Sequence, residues 1–208
     1  MFWDDVKLVT ELVEKYGLQK PLLDAGGLAH PCVADYERTL NTGDQRARYL
    51  NFSQRPFSHI CSDYVILNPE NGDAPIEALS STHHNEYGCV LCLSVMEHVE
   101  NPFDVMDGLY DITRKGGLVI ISTVFSFPLH SSPRDYWRYS PDCLEMLARY
   151  ASFNALESGW RLEIFGDAGI KDIHTGRAQE IRSVYIAMSK GGLAQGEMRK
   201  FVLPEPTQ

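Results

Sequence analysis

Four short segments of the chain carry, or pointedly lack, side chains in patterns that chemistry uses. Leu22-Leu23-Asp24-Ala25-Gly26-Gly27 is an apolar run closed by an acid and two glycines. Without a Cβ, Gly26 and Gly27 let the backbone come close to a ligand, and the N–H groups that follow can bind a carboxylate. Glu97-His98 stands just past the continuous apolar run Cys89 to Ser94, at the sheet edge where ligands of open α/β sheets lie. His130 lies between Pro128 and Pro133. A histidine, whose unperturbed pKa is about 6.5, suits proton transfer at neutral pH, so His130 is the expected base.

The fourth segment, Asp135-Tyr136-Trp137-Arg138-Tyr139, is densely aromatic and charged. Aromatic faces cover C–H surface of a polar ring, Arg138 can fork onto an anionic group, and Asp135 can accept from hydroxyls. The structural alternative has Tyr136 and Trp137 plugging the core edge while Asp135 pairs with Arg138. Trp137 is expected to face inward, which leaves Tyr136 and Arg138 as the pocket residues.

Two other constellations are set aside. Cys89 and Cys92 imitate a metal or redox pair, but an offset of three on a strand sends the sulfurs to opposite faces. His83-His84 sits in a polar loop with no cysteine or carboxylate partner at ligand spacing, so no metal is expected. The fingerprints Gly-x-Gly-x-x-Gly, Gly-x-x-x-x-Gly-Lys-Ser/Thr and Gly-x-Ser-x-Gly are all missing, which disfavours hydride transfer, phosphoryl transfer and the commonest hydrolase on a similar sheet.

The elements that must position these residues follow from periodicity. Val6, Val9, Val13 and Tyr16, widened by Leu8 and Leu12, form a helical stripe that Asp4 can cap and Gly17 can end. Leu22-Leu23 is a short buried strand, and a helix is expected near Val33 to Leu40. Strand character at Tyr49 to Phe52 and at His59 to Leu67 is split by Arg55-Pro56. A short helix should open at Asp73-Ala74-Pro75-Ile76-Glu77, followed by a polar loop to Glu86.

Cys89 to Ser94, then the stripe Phe103, Met106, Leu109 and Tyr110, then Leu118 to Ser122 read as strand, helix, strand. Lys115-Gly116-Gly117 is expected to supply the basic last turn and left-handed stop of that helix. Ser140-Pro141 opens another helix, and 160–164 and 184–188 alternate like an antiparallel pair that closes the sheet. Residues 1–190 read as one domain with an N-terminal helix, and 191–208 as a mobile tail.

Composition bounds the partners. The chain is 44% hydrophobic and 23% charged, enough to fill one core over 208 residues. Its balance of 19 basic against 28 acidic side chains, a net −9, argues against grip on a nucleic-acid backbone. No apolar run approaches the ~18 residues a spanning helix needs, so no membrane partner is expected. Five scattered cysteines with no leader sequence suggest a reducing, cytoplasmic setting. A small-molecule substrate is the expected partner, and a homodimer is compatible with the chain.

Three segments in order, Leu22 to Gly27, Ser94-Val95-Met96-Glu97-His98-Val99-Glu100-Asn101-Pro102 and Arg114-Lys115-Gly116-Gly117-Leu118, resemble the class I S-adenosylmethionine (SAM)-dependent methyltransferases. Phe127 to Pro141 looks like a branch of that family associated with bacterial glycan and secondary-metabolite gene clusters. The resemblance implies a three-layer, doubly wound α/β fold, Rossmann-like, with a mostly parallel seven-stranded sheet and an antiparallel C-terminal strand pair. It implies SAM as cofactor at the carboxyl ends of the strands. Asp24, directly or through water, would meet the methionine ammonium, and Gly26 and Gly27 the methionine moiety. Asp73 and Ala74 would meet the adenine. Ser94 and Glu97 would line the cofactor's sulfonium end, and His98 the substrate pocket.

The chain departs from the family in two places. Leu28-Ala29-His30-Pro31 stands where a third glycine is usual, and Pro31 removes a donor N–H. The ribose acid falls by spacing to Asn51, ranked just ahead of Asp63, and an amide pairs with a hydroxyl more weakly than a carboxylate does. The leading expectation is methyl transfer to oxygen or nitrogen of a small polar acceptor, a sugar or natural-product intermediate. The alternative is a non-catalytic binding or scaffold protein that kept the sheet and lost the cofactor.

Overall fold

Helix α1 (Trp3–Tyr16) buries the stripe Leu8, Val9, Leu12 and Val13 against the sheet. Gly17, at φ +84°, turns the chain out of it and donates to the Val13 carbonyl at 2.8 Å. The helix starts at Trp3, so Asp4 lies inside its first turn and not at the capping position. The computed structural model describes residues 3–26, 57, 60–67, 75–81, 83–129, 134–163 and 181–191. The helix expected near Val33, the strand at 49–52 and the tail beyond Gly191 lie outside them.

Six strands are present among the described residues, where seven were expected: β1 (Leu22–Ala25), β2 (Tyr64–Leu67), β3 (Tyr87–Leu93), β4 (Thr113–Ser126), β5 (Asn154–Glu163) and β6 (Ile181–Ser189). Their order is β2-β1-β3-β4-β6-β5. The first four are parallel, and β6 runs antiparallel to both β4 and β5, the C-terminal pair anticipated from alternation. β3 and the Leu118–Ile121 stretch of β4 are continuously apolar and buried because strands in the middle of the sheet are covered on both faces.

Helix α2 (Pro102–Ile112) starts at Asn101, whose side chain accepts from the Phe103 N–H at 3.1 Å, with Pro102 in the first turn. Helix α3 (Pro141–Tyr150) repeats the device: the Ser140 hydroxyl accepts from the Cys143 N–H at 3.2 Å ahead of Pro141. Lys115-Gly116-Gly117 belongs to β4, not to the last turn of α2, which ends at Ile112. Gly116 does adopt a left-handed φ of +78°, and its N–H meets the Lys190 carbonyl at 2.8 Å.

Two apolar clusters flank the sheet. On one face α1 covers Leu22, Leu91, Leu118 and Ile120. On the other, Val105, Met106 and Leu109 of α2 and Leu144 and Leu147 of α3 cover Leu23, Val90, Val119 and Ile121. Helix, sheet and helix therefore make three layers. Cys89 packs in the first cluster and Cys92 in the second, as strand alternation requires. No described helix is long and apolar enough to cross a membrane.

Candidate functional site

Because β1, β2 and β3 are parallel, their carboxyl ends, Ala25, Leu67 and Leu93, meet at one edge of the sheet. A cleft of about 150 Å³ opens there, lined by Gly26, Leu67, Ile76, Glu77, Val95 and His98 among others. The Gly26 N–H donates to the Leu67 carbonyl at 2.8 Å, knitting the end of β1 to that of β2. Gly26 has φ +95°, and a Cβ added to it would lie 2.5 Å from Val95 Cγ2. Only glycine satisfies both the dihedral and the space.

Ser94, at the end of β3, is the second unusual residue. It is held at φ +54°, a region that costs a non-glycine residue about 1–3 kcal/mol, while its N–H bonds the Ser122 carbonyl at 2.8 Å. Its hydroxyl oxygen is buried with no hydrogen-bond partner among the described residues. An unmet buried hydroxyl costs about 1–3 kcal/mol, so strain and an orphaned polar atom coincide beside the cleft.

Asp24 is 2% exposed and shares the α1 face with Leu22 and Tyr64. Burial pushes its carboxyl from 3.8 up to about 6; the bond donated by the Tyr64 hydroxyl opposes that push, and the charge of Asp5 adds a smaller one in the same direction. Nearby on this face, the buried Asp5 accepts from Arg161 of β5 at 2.7 Å.

On the opposite side of the cleft, Glu97 is buried, and its Oε2 accepts from the Thr123 hydroxyl at 2.7 Å. The Glu97 carbonyl accepts from the Tyr136 N–H at 2.7 Å and from that of Trp137 at 3.3 Å. His98 Nδ1 is 2.8 Å from the Arg134 carbonyl, and its Nε2 is 3.9 Å from Glu97 Oε1. Segment 134–139 thus folds back onto Glu97-His98 and meets the cleft through His98.

Within that segment the inward aromatic is Tyr139, 2% exposed, its hydroxyl donating to the Met96 carbonyl at 2.9 Å. Trp137, expected inward, is 41% exposed: its Nε1 finds the Val99 carbonyl at 2.8 Å on the rim and leaves the ring outside. Arg138 forks onto Asp135 with both terminal nitrogens and also donates to the Phe127 carbonyl at 3.0 Å. The pair spends its hydrogen-bonding capacity on the loop itself, the structural alternative, instead of on a ligand. Tyr136 is likewise exposed, and its hydroxyl donates to Glu100 Oε1 at 2.9 Å.

Gly27, Asn51, Asp73, Ala74 and His130 lie outside the described residues. Asp63 stands at the amino end of β2, the edge opposite the cleft, which removes it as the ribose partner. His83 does have a carboxylate partner, Glu86 Oε2 at 2.8 Å, contrary to the reading of its loop. No group of three or more His, Cys, Asp or Glu among the described residues is arranged to hold a metal ion. Sequence reasoning missed Thr123, Val95 and the Arg134 carbonyl; a hydroxyl at the end of an otherwise apolar strand was the available signal for Thr123.

No family model matches the chain. A ubiquinone biosynthesis O-methyltransferase of Psychrobacter cryohalolentis is 31% identical over 62 residues, 30% of this chain and 22% of that enzyme. The matched stretch is thus about a fifth of that relative's length. Among solved structures, a candidate sarcosine dimethylglycine methyltransferase of Galdieria sulphuraria aligns with TM-score 0.55 and 11% identity over 90% of this chain and 86% of its own. A 1,6-didemethyltoxoflavin-N1-methyltransferase of Burkholderia thailandensis, solved with its substrate and S-adenosylhomocysteine, aligns with TM-score 0.52 and 15% identity over 88% of this chain and 76% of its own.

The fold is that of the class I methyltransferases. In open α/β sheets of this kind ligands sit outside the carboxyl ends of the strands, where Gly26, Val95 and His98 line the cleft.

Proposed function

We propose that the chain is a SAM-dependent methyltransferase acting on oxygen or nitrogen of a small polar acceptor, a sugar or natural-product intermediate. The observation that carries this reading is the buried Ser94 hydroxyl, unpartnered among the described residues, next in the chain to Val95 of a cleft that Gly26 and His98 also line at the carboxyl ends of the parallel strands. The short O-methyltransferase match and the bound S-adenosylhomocysteine of the Burkholderia enzyme support SAM as the ligand there.

When bound, SAM supplies a methyl group on a positively charged sulfur, which departs as a neutral thioether with the electrons of the broken bond. The chain's own work is alignment and exclusion of water. Gly26, with Gly27 after it, approaches the methionine moiety, and Ser94 satisfies its hydroxyl on the ligand. Asp24 attracts the ammonium through its charge, directly or through water. Asn51, Asp73 and Ala74 are assigned to the ribose and adenine by their motif positions. The Glu97–Thr123 bond and the Asp135–Arg138 fork fix the wall on which the acceptor lies.

A crystal structure grown with S-adenosylhomocysteine tests the reading. Density in the cleft against Gly26 and Ser94 is expected; a ligand bound elsewhere would remove the assignment. The loop sequence Leu28-Ala29-His30-Pro31 favours the second reading, a scaffold without cofactor, and absence of any bound ligand at saturation would decide for it.

A further inference from the structure

We infer that the exposed rings of Tyr136 and Trp137 form a platform on which a pyranose ring stacks; that this ring belongs to the methyl acceptor rests on the methyltransferase reading. Both residues are 41% exposed, although side chains this large are ordinarily drawn mostly inside. Their polar ends are tied down on one short turn: Trp137 Nε1 donates to the Val99 carbonyl at 2.8 Å, and the Tyr136 hydroxyl to Glu100 Oε1 at 2.9 Å. Their backbone N–H groups are both on the Glu97 carbonyl, and the buried Tyr139 ring lies 6.5 Å from the indole, centre to centre.

With backbone and polar atoms so committed, what each ring offers a ligand is its face. An aromatic side chain held in place loses little entropy on binding, which is why such residues anchor recognition surfaces. The platform also adjoins the cleft, because Val99, whose carbonyl holds the indole, and its neighbour His98 both line it.

The rim selects the ligand. Arg134 is exposed, meets the Tyr136 hydroxyl and lies in the field of Glu100, so a donor-only cation and an acceptor-only carboxylate stand at one ring edge. A hydrocarbon ring or acyl chain would desolvate that pair and return no hydrogen bond. A simple cation is repelled by Arg134, and a simple anion by Glu100. A pyranose ring suits every part: its C–H bonds, made electron-poor by the neighbouring oxygens, lie against the negative face of an aromatic ring, and its hydroxyls donate and accept around the edge.

The test follows the indole N–H signals of the three tryptophans by NMR while the methyl pyranosides of glucose, galactose, mannose and rhamnose are added in turn, with Trp137→Phe identifying the signal of Trp137. Cyclohexanol, a ring of the same size without the hydroxyl rim, is the control. At least one pyranoside is expected to shift the Trp137 signal saturably, and cyclohexanol to leave it in place. Read from the sugar's own proton signals, affinity should fall about tenfold in Trp137→Ala and stay close to the parent's in Trp137→Phe, which keeps a stacking face. If no pyranoside moves the signal, or cyclohexanol moves it as strongly, the platform is overturned; both arms use the unaltered protein and so do not depend on a variant folding. Calorimetry with S-adenosylhomocysteine on the same protein separates the two readings. A pyranoside that binds where S-adenosylhomocysteine does not supports the platform and removes the acceptor role, whereas S-adenosylhomocysteine binding without any pyranoside binding removes the platform and leaves the methyltransferase reading.

Discussion

The Tyr64 hydroxyl donates to Asp24 across 2.8 Å, joining β2 to β1 beneath the cleft. That bond favours the carboxylate, yet burial outweighs it and holds the Asp24 pKa at about 6 against 3.8 in an unstructured chain. A raised acid pKa means that the folded state binds the proton more tightly, so its effect on stability is adverse above pH 6 and fades as pH falls toward 4. The difference corresponds to about 3 kcal/mol.

Asp24→Asn is therefore expected to stabilise the fold at pH 7.5 by about 1–3 kcal/mol and to flatten the stability profile between pH 4 and 6. Urea unfolding across that range measures it. If Asp24 meets the methionine ammonium as proposed, the same variant should also bind SAM more weakly. A variant that is less stable than the parent at pH 7.5 would show that the charged form is held better than its burial implies.

Gly26→Ala should cost about 1–2 kcal/mol from its left-handed dihedral and more from the 2.5 Å approach to Val95 Cγ2. Adding Val95→Ala removes the clash and leaves the dihedral cost. Thermal unfolding of the single and double variants should show that partial recovery; equal losses in both would place the strain elsewhere.

Arg138→Ala leaves the Asp135 carboxylate, whose side chain is fully buried, without its fork. Breaking such a pair costs about 3–5 kcal/mol when both members are buried, and about 2 is expected here because Arg138 is 28% exposed. Lysine cannot reproduce the two-pronged contact, so Arg138→Lys should recover only part of it. Denaturant melts of the three proteins give the order.

Burial raises the thiol pKa values of Cys89 and Cys92, Cys92 with added repulsion from Glu97 and Asp24, while Cys143 is half-buried. Alkylation of the native protein should modify Cys143 long before either strand cysteine. Rapid labelling of Cys89 or Cys92, read by mass spectrometry, would contradict the two-cluster core.

The middle of the fold was legible because its signals are local and strong. Cys89 to Leu93 and Leu118 to Ser122 are too uniformly apolar to be anything but covered strands, and Asn101-Pro102 and Ser140-Pro141 announce the helices after them. Lys115-Gly116-Gly117 misled because a left-handed glycine serves an irregular strand entry as well as a helix end. Asp63 was misplaced as a candidate because a sequence does not reveal which end of a strand meets the ligand. In segment 134–139 the residue types were informative but their directions were not: Tyr139, not Trp137, turns inward, because the phenol reaches the buried Met96 carbonyl while the indole N–H finds one on the rim. The Ser94 hydroxyl stood out only once burial and φ were known.

Calorimetric titration with S-adenosylhomocysteine is the most direct test of cofactor binding at the sheet edge that carries Gly26, Ser94 and His98. Saturable heat from a single site with a micromolar dissociation constant is expected. A folded protein that gives no heat at millimolar S-adenosylhomocysteine would contradict it.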